Sequence, residues 1–456
     1  MSELKKNQII PLTIIDMNNL GYGVGRHGGA VIFVKGAVTG DVIECKIIKE
    51  TKTYLVGRCE KLCEPSQRRS EKDFCVAPIG CGGCVYRSIG YDYELELKRE
   101  SVVNAFHRAG LHDVVINPTQ STGRLAGYRN KAQYPVGKDK NGRTCAGFYA
   151  SGTHRIVGGS DCALQPKIFG EIVDEVCRFA DEKSIEPYDE ISGKGVLRHI
   201  YIREGEMTGE ILVCLVVNAE KLKEGNALAD RLTEKFPNIV GVSLNVNKKN
   251  TNVVLGDKYI TLKGRNYIED ILCGLRFKIA PAAFYQVNRE GAELLYRLAA
   301  EKADLRGGET LLDLYCGTGT IGLSMAHKVK KLCGIEIVED AVKCARENAA
   351  ANGISNAEFL CADAGNKENI LAAAGGVRPD VVIIDPPRKG STKELVDTLA
   401  ALEVPRVVYV SCDPSTLARD CAWFRERGYE IGDVTPVDMF PRTGHVESVV
   451  CLERRI

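Results

Sequence analysis

No stretch of these 456 residues approaches eighteen consecutive apolar positions, which excludes a membrane-spanning helix. The opening MSELKKNQIIPLTII lacks the unbroken apolar core of a signal peptide. No low-complexity tract is present, and a composition of 44% hydrophobic and 27% charged residues argues against disorder. Excess charge is missing as well. The formal net charge is +1, so the total advertises no nucleic-acid partner. These absences point to a soluble, globular protein, expected in the cytoplasm and without membrane association, and nothing in the sequence implies an obligate protein partner. The chain is too long for one ordinary core and implies two or three domains.

What the chain has in quantity is cysteine, 18 residues in all. A reducing compartment excludes a disulfide framework and leaves metal ligation, nucleophilic catalysis and inert burial. Cys75, Cys81 and Cys84 are clustered, with Cys145 and Cys162 farther along. Four thiolates suffice for a tetrahedral site, and spacing alone does not separate zinc from a [4Fe–4S] cluster. Cys333 and Cys361 fall in strand patterns and read as core packing. Charge, though balanced overall, is concentrated locally. From Arg124 to Arg155 there are seven Lys or Arg and one acid, Asp139, interleaved with Tyr128, Tyr134, Phe148 and Tyr149. Cations for phosphate and aromatic faces for unstacked bases make up a single-strand-binding surface, although a solvated loop-rich face has the same composition.

Residues 8 to 61 read as a small all-β unit, with short β-rich runs separated by GYGVGRHGG and TGD turns. A helical pattern follows the clustered cysteines through YDYELELKRESVVNAFHRAGL, and residues 125 to 280 are strand-rich. From about 290 helices and strands alternate, the pattern of an α/β parallel sheet. ETLLDLYCG, KLCGIEIVE, AEFLCAD, PDVVIIDPP and RVVYVSCDP supply five strands. YEIGDVTPVDMF and ESVVCLERR close the chain as an antiparallel pair.

Asp313-Leu-Tyr-Cys-Gly317-Thr-Gly319-Thr-Ile-Gly322 sits where a strand meets a helix, and Glu336 lies 19 positions beyond Gly317. Glycines admit a nucleotide's close approach and the carboxylate accepts ribose hydroxyls, so this pair alone suits NAD as well as S-adenosylmethionine. Asp313 ahead of the glycines resembles the methyltransferase signature D-x-x-C-G-x-G. Asp363 ends the third strand and Asp385-Pro386-Pro387 the fourth, which together favour S-adenosylmethionine. Cys412, in VVYVSCDPSTLARD, ends the fifth strand and should face the same crevice, because the carboxyl ends of parallel strands converge there.

Asp385-Pro-Pro-Arg-Lys-Gly390, Ser411-Cys412-Asp413-Pro414 and Thr-Gly-His445-Val-Glu447 together resemble the signatures of the RNA uracil-5-methyltransferase family. The N-terminal unit resembles a TRAM domain, an OB-like barrel, through its GYGVGR, AVIFVKGA and TGD elements. With the clustered cysteines, the chain is most similar to the iron–sulfur enzymes that methylate 23S rRNA. The resemblance implies an α/β Rossmann-like S-adenosylmethionine-dependent methyltransferase domain over 281–456. It also implies a barrel over 1–62 and a central iron–sulfur, RNA-binding domain over 63–280, whose helix near 92–110 packs on the catalytic domain. It implies Cys412 as the nucleophile at C6 of a flipped uridine and Glu447 as the base that removes the C5 proton. Gln286, Tyr315, Thr320, Glu336, Asp363 and Asp385 are implied at the methyl donor. Arg388 or Lys389 is implied at RNA phosphate or the developing enolate. Cys75, Cys81, Cys84 and Cys162 are implied as [4Fe–4S] ligands, with zinc second and Cys145 the less fitting fourth ligand. The family usually has Asn after the nucleophile, and Asp413 here is expected to raise the thiol pKa through like charge. The rival readings are a tRNA uracil-5-methyltransferase, expected to lack barrel and cysteine cluster, and an inactive iron–sulfur RNA-binding protein.

Overall fold

The computed structural model describes residues 4–71, 75, 80–159 and 161–455. Five strands between Ile9 and Glu64 close into a barrel, with Ile10, Leu12, Ile14, Ile32, Val34 and Ile43 alternating into its core. Closure needs one close approach. A Cβ on Gly57 would come within 2.2 Å of the Sγ of buried Cys45, so glycine is required there.

A seven-stranded sheet follows, running from Lys131 to Gly264, with the Leu197–Glu204 and Ile211–Val217 strands near its centre. Helices Lys167–Glu182 and Gly225–Lys235 pack their apolar stripes into its core. This arrangement overturns the aromatic stacking surface expected between Arg124 and Arg155. Tyr128 and Tyr134 are fully buried, the Tyr128 hydroxyl donating to the Pro441 carbonyl at 2.9 Å. Tyr149 stacks on His154. Tertiary packing took rings that a sequence pattern offers equally to a core or to a base.

The C-terminal sheet has the order Ala357–Cys361, Lys331–Glu336, Thr310–Leu314, Val381–Ile384, Arg406–Ser411, Glu447–Arg454, Tyr429–Ile431. The first five strands are parallel, and Glu447–Arg454 runs antiparallel to the fifth. The expected closing hairpin is broken in two, because Tyr429–Ile431 and Thr435–Val437 each pair separately with Glu447–Arg454. Helix Arg289–Ala303 covers one face, and the other is covered by helices that include Tyr91–Arg108 from far upstream. That helix places Val102 and Phe106 among Leu395, Leu417 and Phe424. No helix among the described residues is long and apolar enough to cross a membrane.

Helix Tyr91–Arg108 is also held by buried charge. The Lys98 ammonium donates to Glu94 at 2.8 Å, to Asp438 at 2.6 Å and to the Phe440 carbonyl at 3.2 Å. Glu94 in turn accepts from the Arg442 amide at 2.6 Å, and Tyr91 donates to Asp438 at 2.8 Å. This network fixes the 438–442 loop that leads to Glu447. Removing its only ammonium leaves Asp438 buried without a cation and Glu94 with the Arg442 guanidinium alone, at 3.4 Å. Lys98→Ala should therefore destabilise this part of the molecule by about 3–5 kcal/mol. The urea midpoint reported by the fluorescence of Trp423, the single tryptophan, in helix Pro414–Glu426, should fall accordingly.

Candidate active site

The glycine-rich turn after Thr310–Leu314 is built around two carboxylates. Asp313 is buried and accepts from the Gly322 amide at 2.9 Å, and a Cβ on Gly322 would lie 2.7 Å from that same oxygen. Tyr315, Gly317 and Gly319 have φ of 62°, 55° and 82°, a left-handed path that costs least at glycine. Glu336, at the end of the neighbouring strand, accepts from the amides of Gly317 at 3.1 Å and Val338 at 2.9 Å. Its carboxylate is thereby held at the mouth of the turn. Above Gly317 a Cβ would meet open space, a cradle left free for a ligand. Beside Glu336, Ile337 is 71% exposed and Val338 53% exposed, an uncovered apolar shelf fit for a flat ring. Sequence reading missed this shelf, although two large apolar residues directly after a strand-end acid are visible in GIEIVED.

The other expected donor contacts are placed as follows. Thr320 shares a hydrogen bond with buried Tyr296 at 2.9 Å. Asp363 is exposed two residues beyond its strand and accepts from the Gly365 amide at 2.9 Å. Asp363 also bears electrostatically on Tyr315, which hydrogen-bonds Ser391. Gln286 is buried just before helix Arg289–Ala303, its carbonyl accepting from Asn130 at 2.9 Å.

Strand register brings the reactive groups together. Ile384 lies opposite Tyr409, and Ser411 opposite Ser448, so Asp385, Cys412 and Glu447 emerge side by side. Burial raises the Glu447 carboxyl to about 8, with Asp385 adding and Arg388 opposing. Burial raises Asp385 to about 7. The Cys412 thiol is pushed up to about 11 by burial, then by Glu447 and Asp385, with Arg388 again opposing. The charges that raise it are those two acids, whereas the Asp413 carboxylate accepts the Ser415 and Thr416 amides at 2.8 and 3.1 Å as a helix N-cap. Asn fills the same role, which explains how Asp is accommodated there.

The loop after Asp385 is pinned from below. Asp420, fully buried, accepts from the Ser391 amide at 2.7 Å and the Tyr409 hydroxyl at 2.6 Å. Gly390 packs so closely that a Cβ would meet Arg419, Asp420 and Thr416 within 2.8 Å. Arg419 and Thr416 donate to the carbonyls of Lys389 and Arg388 at 2.9 and 3.4 Å, leaving both of those side chains exposed.

Cys75, Cys81, Cys84 and Cys162 line one cavity of about 130 Å³, together with Arg129 and Phe148. Burial and the neighbouring thiols raise Cys84 to about 12, and burial foremost raises Cys162 to about 11. The Arg129 Nε is buried without a hydrogen-bond partner among the described residues. Residues 76–79 of the cysteine segment lie outside the described residues. Among those described, no three or more His, Cys, Asp or Glu are gathered closely enough to grip a metal ion. Cys145 is not part of this cavity's lining and bears instead on Cys177. Cys333 is core as expected, but Cys361 is exposed, its thiol reaching the Ile337 carbonyl at 3.6 Å.

Comparison with known proteins bears on both ends of the chain. Residues 204–455 match the model of the tRNA (uracil-5-)-methyltransferase family, and residues 3–59 match the TRAM domain. The chain is 41% identical over 454 residues to a protein of Clostridium acetobutylicum named as an uncharacterized RNA methyltransferase, covering 99% of this chain and 98% of that one. It is 40% identical over 453 residues to a protein of the same description in Halalkalibacterium halodurans, again covering 99% and 98%. Among solved structures it is similar to the Pyrococcus abyssi tRNA (uracil-54, C5)-methyltransferase in complex with S-adenosyl-L-homocysteine. That match has a TM-score of 0.78 and 29% identity, covering 97% of this chain and 99% of that one.

The charge arrangement around Cys412 has a readable consequence. With both acids ionised at pH 9, Glu447→Gln removes one of the like charges that hold the thiol near 11. Its pKa should fall and its thiolate fraction rise. Iodoacetamide labelling of Cys412 at pH 9, followed by mass spectrometry, should be faster in Glu447→Gln than in the parent and slower in Arg388→Ala.

Proposed function

This chain belongs to the tRNA (uracil-5-)-methyltransferase family of S-adenosylmethionine-dependent RNA methyltransferases, and from that footing we propose that it methylates C5 of a uridine through a covalent cysteine adduct. The observation that carries the mechanism is the meeting of Cys412, Glu447 and Asp385 at three adjacent strand ends. C5 of uracil is too weak a nucleophile to attack a methylsulfonium unaided. The Cys412 proton passes to a carboxylate, the Sγ–C6 bond forms, and the electron pair of the C5–C6 double bond moves into an enolate over C5, C4 and O4. C5 then takes the methyl group as the donor's sulfur–methyl bond breaks, leaving S-adenosylhomocysteine. Glu447 removes the C5 proton, and the returning electron pair expels Sγ. A carboxylate near 8 suits this last step, because a general base works best with a pKa close to the operating pH. A thiol near 11 stays protonated until substrate arrives. Arg388, the cation whose charge lowers the thiol pKa, offsets the charge as it develops. The target base must leave its stack for C6 to reach the sulfur.

The donor's place is the glycine turn, with Glu336 at ribose, Ile337 and Asp363 at adenine, and Asp385 toward the methyl end. Tyr315, Thr320 and Gln286 complete this set. For the cysteine cavity the reading is a [4Fe–4S] cluster held by Cys75, Cys81, Cys84 and Cys162. What supports it is that all four cysteines border one cavity, and zinc, which four cysteines also hold, is the second reading. The unpartnered Arg129 Nε suits the negative charge such a group would bring. The cluster's role here is to hold the central sheet to the catalytic loop, with no electron transfer in the cycle. Protein purified without oxygen should carry about four irons and four sulfides. Cys84→Ser should lose both, as read by iron analysis and visible absorption.

The substrate we favour is 23S rRNA, with the enzyme in the cytoplasm where that RNA is. A tRNA enzyme is not bound to lack the barrel, contrary to expectation, since the Pyrococcus tRNA enzyme matches 97% of this chain. Transfer RNA is therefore the second reading. Labelled donor given to unmodified 23S rRNA and tRNA separates the two by which accepts label. On the accepting RNA, Cys412→Ala should abolish transfer. Glu447→Gln should lower turnover by about 10²–10⁴-fold and accumulate methylated RNA bound to protein, seen on a denaturing gel. Full turnover of Glu447→Gln would remove that residue from the mechanism.

A further inference from the structure

A cleft of about 330 Å³ opens at Cys412 on the side facing the barrel. Cys412, Arg388 and His445 border it from the catalytic sheet, and Asn104 and Arg108 from helix Tyr91–Arg108. The remaining wall is the barrel loop Asp16–Asn19. That loop is rigidly built. The Asn18 side chain accepts from the amides of Leu20 at 3.1 Å and Tyr22 at 3.0 Å, and its carbonyl from the Tyr86 hydroxyl at 3.4 Å. Asn19 lies against the catalytic loop so closely that a Cβ on Gly444 would come within 1.8 Å of its carbonyl. The barrel thus forms part of the wall beside the nucleophile.

Among the described residues, the side chains of Asn104, Arg108 and Arg388 make no hydrogen bond or ion pair, though all three border this space. Asp16 and Glu100 bring carboxylates to the same walls. With Asp413, three carboxylates meet two guanidiniums there, unlike a groove that tracks a run of phosphates. Mixed donors and acceptors at close range suit a base edge, with the guanidiniums left for one adjoining phosphate.

The geometry points to a subsite for the nucleotide next to the target uridine, selective for a base that carries an exocyclic amino group. This rests on the methylation reading above, since a base flipped onto Cys412 deprives its neighbour of a stacking partner. The Asn104 amide can pair with an adenine edge, and the Asp16 and Glu100 carboxylates can accept from an amino group. Uracil offers no amino donor to them.

The test uses single-stranded RNAs with one 5-fluorouridine between identical flanks of A, C, G or U. Fluorine in place of the C5 proton stops the cycle at the covalent adduct, so its rate of formation with S-adenosylmethionine reads the flank directly. Parent protein should form adduct about tenfold faster with the best amino-bearing flank than with uracil, as one base-edge contact is worth about 1–3 kcal/mol. Asp16→Asn and Asn104→Ala should narrow that ratio, and Arg108→Ala should slow all four RNAs alike. Equal rates with every flank in the parent would overturn the subsite while leaving the covalent mechanism intact. Adduct on no RNA, from protein that binds S-adenosylmethionine, would overturn the covalent mechanism and the subsite with it.

Discussion

Crowding three acidic groups into one desolvated cleft is the constraint around which this molecule is arranged. Asp385 resists ionisation because it is buried, and Glu447 and Cys412 because they are buried and face neighbouring acids. Left to relax, such groups would swing apart or draw in water. They stay because each sits at the end of a strand whose register is fixed by a buried ladder on both sides. The outcome is a thiol held protonated and a carboxylate poised near neutrality, the latter suited to the proton removal proposed for it.

Rigidity of this kind requires support at a distance. The loop after Asp385 is tied through Ser391 to a fully buried Asp420 and to Tyr409 beneath it. The loop before Glu447 is tied through Asp438 and Arg442 to Lys98 and Glu94 on a helix drawn from the first quarter of the chain. The barrel is pressed onto Gly444 in turn. The barrel and a helix from the first quarter of the chain therefore converge on one short segment, 438–447, and hold Glu447 beside Cys412. Arg129 links this segment to the cysteine cavity, since it borders that cavity and lies over the Phe440 ring at 5.8 Å.

Much of this was legible before any coordinates. The alternation of strands and helices from residue 290, the glycine turn with its acid 19 positions on, and the cysteine before a proline turn are local patterns dictated by period and backbone geometry. The readings that failed depended on which face of an element turns inward. Tyr128 and Tyr134 looked like a stacking surface and are core. Cys361 looked like core and is exposed. Asp413 looked like a charge acting on the thiol and is a helix cap.

The sequence by itself determined the parallel sheet and the barrel and offered the candidate reactive side chains, because strand period, turn glycines and strand-end motifs are written within a few residues of one another. Only the tertiary structure decided which acids bear on Cys412, that four thiols separated by up to 87 positions border one cavity, and that a barrel loop walls the cleft beside the nucleophile. Those facts depend on contacts between segments from tens to hundreds of residues apart. Such contacts are set by whole-chain packing and by the desolvation it imposes, and no local pattern encodes either.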